Sequence, residues 1–362
     1  MKLAVFLPIL VMVGVTNYFV DPAQIYSKKG FETQVARLMS EGHSITATSK
    51  FDYDERLLIS QYVNSLTAKK QVIAIGSSRV MLITSDFWPN HTFFNAWFPT
   101  AQLDDLILAY GFFRQKNLIP DTVLLGVDPW TFDSSQLQWL GGHEQFKEVY
   151  DRTISDMGSR SEGLRLNPIA WVPARWQAIC SFSYFQDSLK ALRERKGSLK
   201  DLMRKEYVLT DKKINKYFTL WYDGARFSSL NDEDAPDVVN KHVVLDSNDD
   251  PFRLDSSNMK KFEAFVDLMI RDGVKVIFYL PPFHPTTFDI YNAGNQGFSS
   301  RYPKGSLDRI EKYCRSVAAS RDIKVVGSYD PRKLNIQADQ FYDSRHLRTS
   351  EDVRFIFREG GI

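Results

Sequence analysis

A chain of 362 residues, 43% hydrophobic and 25% charged, can bury a full core and fits one large domain or one domain with a sizeable insertion, so disorder as the main state is excluded. Its 46 Lys and Arg against 44 Asp and Glu leave a formal charge of +2, which gives no whole-protein field to attract nucleic acid or an anionic surface. The two cysteines, Cys180 and Cys314, lie far apart, and no G-x-x-x-x-G-K-[ST], G-x-G-x-x-G or H-E-x-x-H occurs, which removes the usual signatures of phosphate cradles, dinucleotide folds and helical zinc proteases.

In chain order, residues 3–20 run LAVFLPILVMVGVTNYFV without a charge, just long enough at about 1.5 Å per residue to cross a bilayer core. Lys2 precedes the run, Asp21-Pro22 closes it, and no small-x-small cleavage signal is visible before Asp21. Residues 1–20 are therefore expected to be a retained single-pass anchor in the cell membrane, with the rest of the chain extracytoplasmic, periplasmic or extracellular. A buried N-terminal segment, helped by Pro8, Thr16 and Asn17, and a cleaved signal are the other readings. Residues 21–50, rich in Lys, Ser, Thr and Gly, are expected to be a polar stem, and residues 51–362 the folded body.

Residues 52–66 carry apolar positions at helical spacing with acids in the first turn, which predicts a helix, and residues 72–75 form a short apolar run ended by Gly76, as for a strand buried on both faces. The same pattern predicts strands at 92–95, 122–127, 274–280 and 323–326, and helices at 103–115, 256–271 and 307–320. Strands alternating with helices imply parallel pairing and a three-layer α/β/α fold. About 140 residues, 129–272, separate the third and fourth of these strands, far beyond a normal crossover. Residues 131–255 are accordingly expected to be an inserted subdomain or lid, with a basic helix over 184–204. Trp130, Trp139, Trp171, Trp176 and Trp221 fall between residues 129 and 272 and suit either a small core or a stacking surface for sugar rings.

In an open parallel sheet, ligands bind beyond the carboxyl ends of the strands. The residues there are Gly76-Ser77-Ser78-Arg79, Asn95-Ala96-Trp97, Gly126-Val127-Asp128 and Pro281-Pro282-Phe283-His284, followed after the fifth strand by Asp343-Ser344-Arg345-His346. A serine needs a base within hydrogen-bond reach and a third group to fix that base. Asp343 and His346, three apart, supply both if they share one helical turn. Gly76-Ser77-Ser78 alone is equally a strand-to-helix turn with an N-cap serine. Arg79 suits either an internal ion pair or the holding of an anionic substrate group, and His284 either structure or a substrate contact. The six histidines are scattered and form no ligand cluster, so no metal and no cofactor is expected.

The Gly-Ser-Ser block after the first strand and the Asp-x-x-His block near the C-terminus resemble the SGNH, or GDSL-like, hydrolase superfamily. Gly76-Ser77-Ser78 resembles its membrane-anchored envelope variants, the alginate O-acetyltransferases and the D-alanyl transfer protein of teichoic acid synthesis. The likeness spans residues 71–130 and 274–347 and leaves the insertion unmatched. It implies a five-stranded parallel flavodoxin-like sheet, Ser78 as nucleophile, and His346 and Asp343 as its relay. The superfamily commonly places a Gly-x-Asn block after the third strand, where this chain has Gly126-Val127-Asp128, and an ionised carboxylate cannot donate to an oxyanion. Backbone N–H groups near Ser78, together with Asn95, are the expected donors, with Ser77 and Asp128 as further candidates.

The resemblance implies acyl transfer from an acylated donor to a hydroxyl of an envelope or exported polysaccharide, beside a membrane-bound O-acyl exporter. An esterase or deacetylase releasing the acyl group to water is the close alternative. A membrane-tethered protein that binds polysaccharide or a partner without chemistry is the third.

Overall fold

The computed structural model describes residues 2–20, 31–47, 53–133, 144–158, 179–194, 218–227, 254–294 and 303–361. In chain order the first half forms α1 (Lys2–Val20), α2 (Phe31–Ser40), β1 (Ile45–Ala47), α3 (Glu55–Ser65), β2 (Val72–Gly76), β3 (Phe93–Trp97), α4 (Leu103–Gln115), β4 (Thr122–Gly126) and α5 (Lys147–Asp156). There follow α6 (Phe182–Glu194), β5 (Phe218–Leu220), β6 (Arg226–Phe227), α7 (Ser256–Arg271), β7 (Lys275–Leu280), α8 (Pro285–Ala293), α9 (Ser306–Ala319), β8 (Lys324–Gly327) and α10 (Ser350–Glu359).

The apolar runs 72–76 and 93–97 are buried at every position, which leaves their backbone groups only other strands to bond. They join one five-stranded parallel sheet in the order β3-β2-β4-β7-β8, with Ile73 beside Phe94 on one side and Val123 on the other. The chain order reverses between β2 and β4, so the crevice at their carboxyl ends is the topological switch point. Alternate side chains enter two cores. Ile73, Ile75, Val123 and Phe278 pack under the helical face with residues of α3, α4, α7 and α9, whereas Val72, Ala74, Leu124 and Tyr279 meet Val353, Ile356 and Phe357 of α10 on the other. Phe278 is fully buried, and its truncation to alanine would cost about 3–5 kcal/mol.

Local signals set the helix ends. Asp54 caps α3 by accepting the Arg56 and Leu57 N–H groups, Asp255 caps α7 through Ser257, and Gly273 takes φ +80° just past α7. Residues 31–47, expected within a polar stem, instead belong to the folded body. Val35, Ala36 and Met39 of α2 are buried in the larger core, and β1 pairs antiparallel with β5 in a small second sheet, β1-β5-β6. The residues 223–224 are an Asp-Gly pair, the turn signal of that hairpin. Most of the inserted segment, with Trp139, Trp171 and Trp176, lies outside the described residues, as does the second half of the basic helix expected over 184–204.

In α1, Ile9, Leu10, Val11, Val15 and Phe19 are exposed, and Asn17 holds the helix to the residues just before α6, its amide donating to Ile179 O and Ser181 O, both at 3.0 Å. Among the described residues no helix is long and apolar enough to cross a membrane.

Candidate active site

Gly76 ends β2, and Ser77 caps a single 3-10 turn, Ser78–Val80, by accepting the Arg79 N–H at 3.2 Å on its hydroxyl. Ser78 is therefore the first residue of the turn, half-buried, with an amide N–H that has no carbonyl one turn back to bond. A Cβ on Gly76 would lie 2.8 Å from Val80 Cγ1, and one on Gly126 2.4 Å from the same atom. The two glycines, on adjacent strands, thus let the turn settle directly onto the sheet at the switch point.

Asp343 and His346 lie in a stretch beyond β8 that is not helical, residues 341–349, unlike the single helical turn expected from the spacing. The backbone doubles back, with Phe341 and Leu347 bridged antiparallel and the Tyr342 N–H donating to His346 O at 3.1 Å. Asp343 makes the reversal: its Oδ1 accepts the N–H groups of Arg345 and His346, both at 2.8 Å. Its Oδ2 lies 2.7 Å from His346 Nδ1, and His346 Nε2 lies 2.8 Å from Ser78 Oγ. One carboxylate therefore shapes the loop and orients the ring.

Burial raises the proton affinity of Asp343, but the His346 imidazole and the N–H groups of residues 345 and 346 outweigh it and bring the carboxyl down to about 2. A carboxylate against Nδ1 fixes the neutral tautomer with its proton there and leaves Nε2 to accept from the Ser78 hydroxyl. Tyr342 stacks on the imidazole, centroids 5.3 Å apart and planes 6° from parallel, and so walls one face of the ring.

The remaining candidates are placed differently. Asn95 has both amide hydrogens occupied, donating to Val80 O at 2.7 Å and to Ile83 O at 2.9 Å, so it secures the loop after the Ser78 turn and offers no hydrogen to an oxyanion. Asp128 accepts from Arg79 at 2.8 Å, with the two side chains 3% and 1% exposed, so of the two readings open to Arg79 the structure has the internal ion pair, and Asp128, a candidate substrate group, is its partner. Ser77 is spent as the cap of the turn. His284 caps α8, its Nδ1 accepting the Thr286 N–H at 3.2 Å; burial, against the opposing pull of Asp343, lowers its pKa.

A further wall of the site came from within the insertion. The β5–β6 turn seals the end of β3: the Asn95 N–H donates to Asp223 O at 2.7 Å and the Trp97 indole to Gly224 O at 3.1 Å. Gly224 has φ +86°, and a Cβ there would lie 2.2 Å from Asn95 O, so only glycine fits. The Arg226 N–H donates to Met81 O at 3.0 Å, which docks β6 against the Ser78 turn, and the Arg226 guanidinium lies 5.7 Å from the Trp97 ring.

The arrangement can activate a serine hydroxyl toward a carbonyl carbon. Among the described residues, no group of His, Cys, Asp and Glu could hold a metal ion. In comparisons with known proteins, no family model matches this chain and no curated protein is significantly similar to it.

Proposed function

We propose that the protein is a serine-dependent O-acyltransferase that moves an acyl group, acetyl in the first place, from an acylated donor to a hydroxyl of a cell-envelope or exported polysaccharide. The observation that carries this reading is the unbroken relay from Ser78 through His346 to Asp343, with links of 2.8 and 2.7 Å. In the forward step Ser78 Oγ bonds to the acyl carbonyl carbon and its proton passes to His346 Nε2, while the ionised Asp343 stabilises the imidazolium. In this reading the Ser78 amide N–H, the first of its 3-10 turn, donates to the resulting oxyanion. Collapse breaks the bond to the donor's leaving oxygen, which takes the proton from His346 and leaves Ser78 acylated. The acceptor hydroxyl then repeats the sequence in reverse, giving its proton to His346 as its oxygen bonds to the acyl carbon, and Ser78 is released.

In this reading α1, with its exposed apolar side chains, tethers the chain to the membrane, and the catalytic body works outside the cytoplasm beside a membrane-bound acyl exporter. The test is to supply the full chain in detergent with p-nitrophenyl acetate and a panel of neutral and acidic oligosaccharides, and to follow nitrophenol and acceptor mass together. Ser78-dependent acetylation of an oligosaccharide is the expected result. Nitrophenol release with no acetylated acceptor would reassign the protein as an esterase, and neither product would leave a binding protein.

A further inference from the structure

We infer that Arg79, the residue after the nucleophile, is a positioning residue that sets the separation of Ser78 and His346, and that Asp128 is the counter-charge that keeps it there. The inference rests on the acyl-transfer reading of the same site.

The Arg79 side chain, 1% exposed, spreads its donors over three structural elements. Its Nε donates to Arg345 O at 3.1 Å, Nη1 to Asp128 Oδ1 at 2.8 Å, and Nη2 to Pro281 O at 2.5 Å and Pro282 O at 2.6 Å. The guanidinium also lies 4.0 Å from the centroid of the Phe283 ring. Three of these acceptors stand at the carboxyl ends of β4 and β7. The fourth, Arg345 O, is the carbonyl immediately before His346. One side chain thus runs from the neighbour of the nucleophile to the neighbour of the base, and pins both to the sheet.

Only an arginine suits this place. The planar fork reaches acceptors in several directions at once, whereas an ammonium is a single point of charge on a flexible stem. Three of the four acceptors are neutral carbonyls, so the buried cation depends on Asp128 for its charge. That dependence also accounts for the aspartate at the position where the resembling superfamily commonly has asparagine: an amide there would leave the guanidinium without a counter-ion.

The test measures the rate of fluorophosphonate labelling of Ser78 against pH in the full chain, with thermal midpoints taken in parallel, for wild type, Arg79→Lys and Asp128→Asn. If Arg79 positions the pair, Arg79→Lys lowers the labelling plateau roughly 10- to 100-fold, as a displacement of about 1 Å would, while the pH at which labelling falls on the acid side stays where it is in the wild type. Asp128→Asn lowers the plateau in the same way by about 3- to 10-fold. With a small neutral ester, kcat falls and KM holds. A folded Arg79→Lys protein with the wild-type plateau overturns the inference, as does one in which only the acid limb moves, since that would make Arg79 a source of field and not of position. Should Arg79→Lys fail to fold, Asp128→Asn decides by the same criterion. A wild-type chain unlabelled at Ser78 overturns the acyl-transfer reading and this inference together, whereas a labelled wild type with unaffected variants overturns this inference alone.

Discussion

His346 Nε2 lies 2.8 Å from Ser78 Oγ although 268 residues separate the two in the chain. The parallel sheet brings them to one rim, but β4 and β7 stand between β2 and β8, so the histidine loop must cross two strand ends to reach the serine. Backbone bonds fasten it on the way: the Phe283 N–H donates to Tyr329 O at 3.1 Å and the His284 N–H to Ser344 O at 3.2 Å. The relay is therefore a property of the assembled sheet and not of any one segment.

Asp343→Asn is expected to lower ester turnover by about 10³- to 10⁴-fold while leaving the fold in place, because an amide can donate to Nδ1 and so favours the tautomer that turns a proton toward Ser78. Turnover of p-nitrophenyl acetate by the purified variant measures this. A loss under tenfold would mean that the carboxylate does not set the ring's tautomer.

The same carboxylate makes stability depend on pH. A carboxyl held at about 2 against an ordinary 3.8 contributes on the order of 2 kcal/mol at neutral pH. Because the folded value is depressed, the unfolded chain takes up the proton first as pH falls. The contribution is thus full above about pH 4 and is lost between about pH 4 and 2. Denaturation of wild type and Asp343→Asn at a series of pH values should show a gap of about 2 kcal/mol near pH 6 that narrows below pH 4. A gap that does not change with pH would contradict this.

Gly126→Ala should displace the Ser78 turn without touching Ser78, His346 or Asp343, since the new methyl would sit 2.4 Å from Val80 Cγ1 and push the turn off the sheet. A loss of roughly tenfold or more in Ser78 labelling is expected. Val80→Ala in the same chain removes the obstructing methyls and should restore much of the rate, at the price of about 1–3 kcal/mol of core stability. Failure of the second change to restore labelling would show that the glycine acts in another way.

Much of the fold was legible because its strands are buried on both faces and punctuated by glycine: the runs ending at Gly76 and Gly126 form adjacent strands of the sheet. Ser78 stood out because it follows the run ending at Gly76, whereas Asp343 and His346 lie well beyond the end of β8 and stood out only by their spacing. What could not be read was the use of polar groups away from their own segment. Asn95 is spent on Val80 O and Ile83 O, and the ion pair open to Arg79 has Asp128 as its partner, pairings that depend on how loops from different strands settle together. The α2 and β1 segments were hidden by polar composition, since a helix with only one buried stripe of Val35, Ala36 and Met39 looks like a stem until a partner covers that stripe. The hairpin of β5 and β6 left only its Asp-Gly turn as a signal, within a long unmatched insertion.

The most direct test of the activated serine is intact-mass and peptide mapping of the full chain after treatment with a fluorophosphonate, beside Ser78→Ala and His346→Ala. A stoichiometric adduct on Ser78 that disappears in Ser78→Ala and forms at least about 10³-fold more slowly in His346→Ala is the expected result. A folded wild-type chain with no adduct on Ser78, or one labelled equally fast without His346, would contradict it.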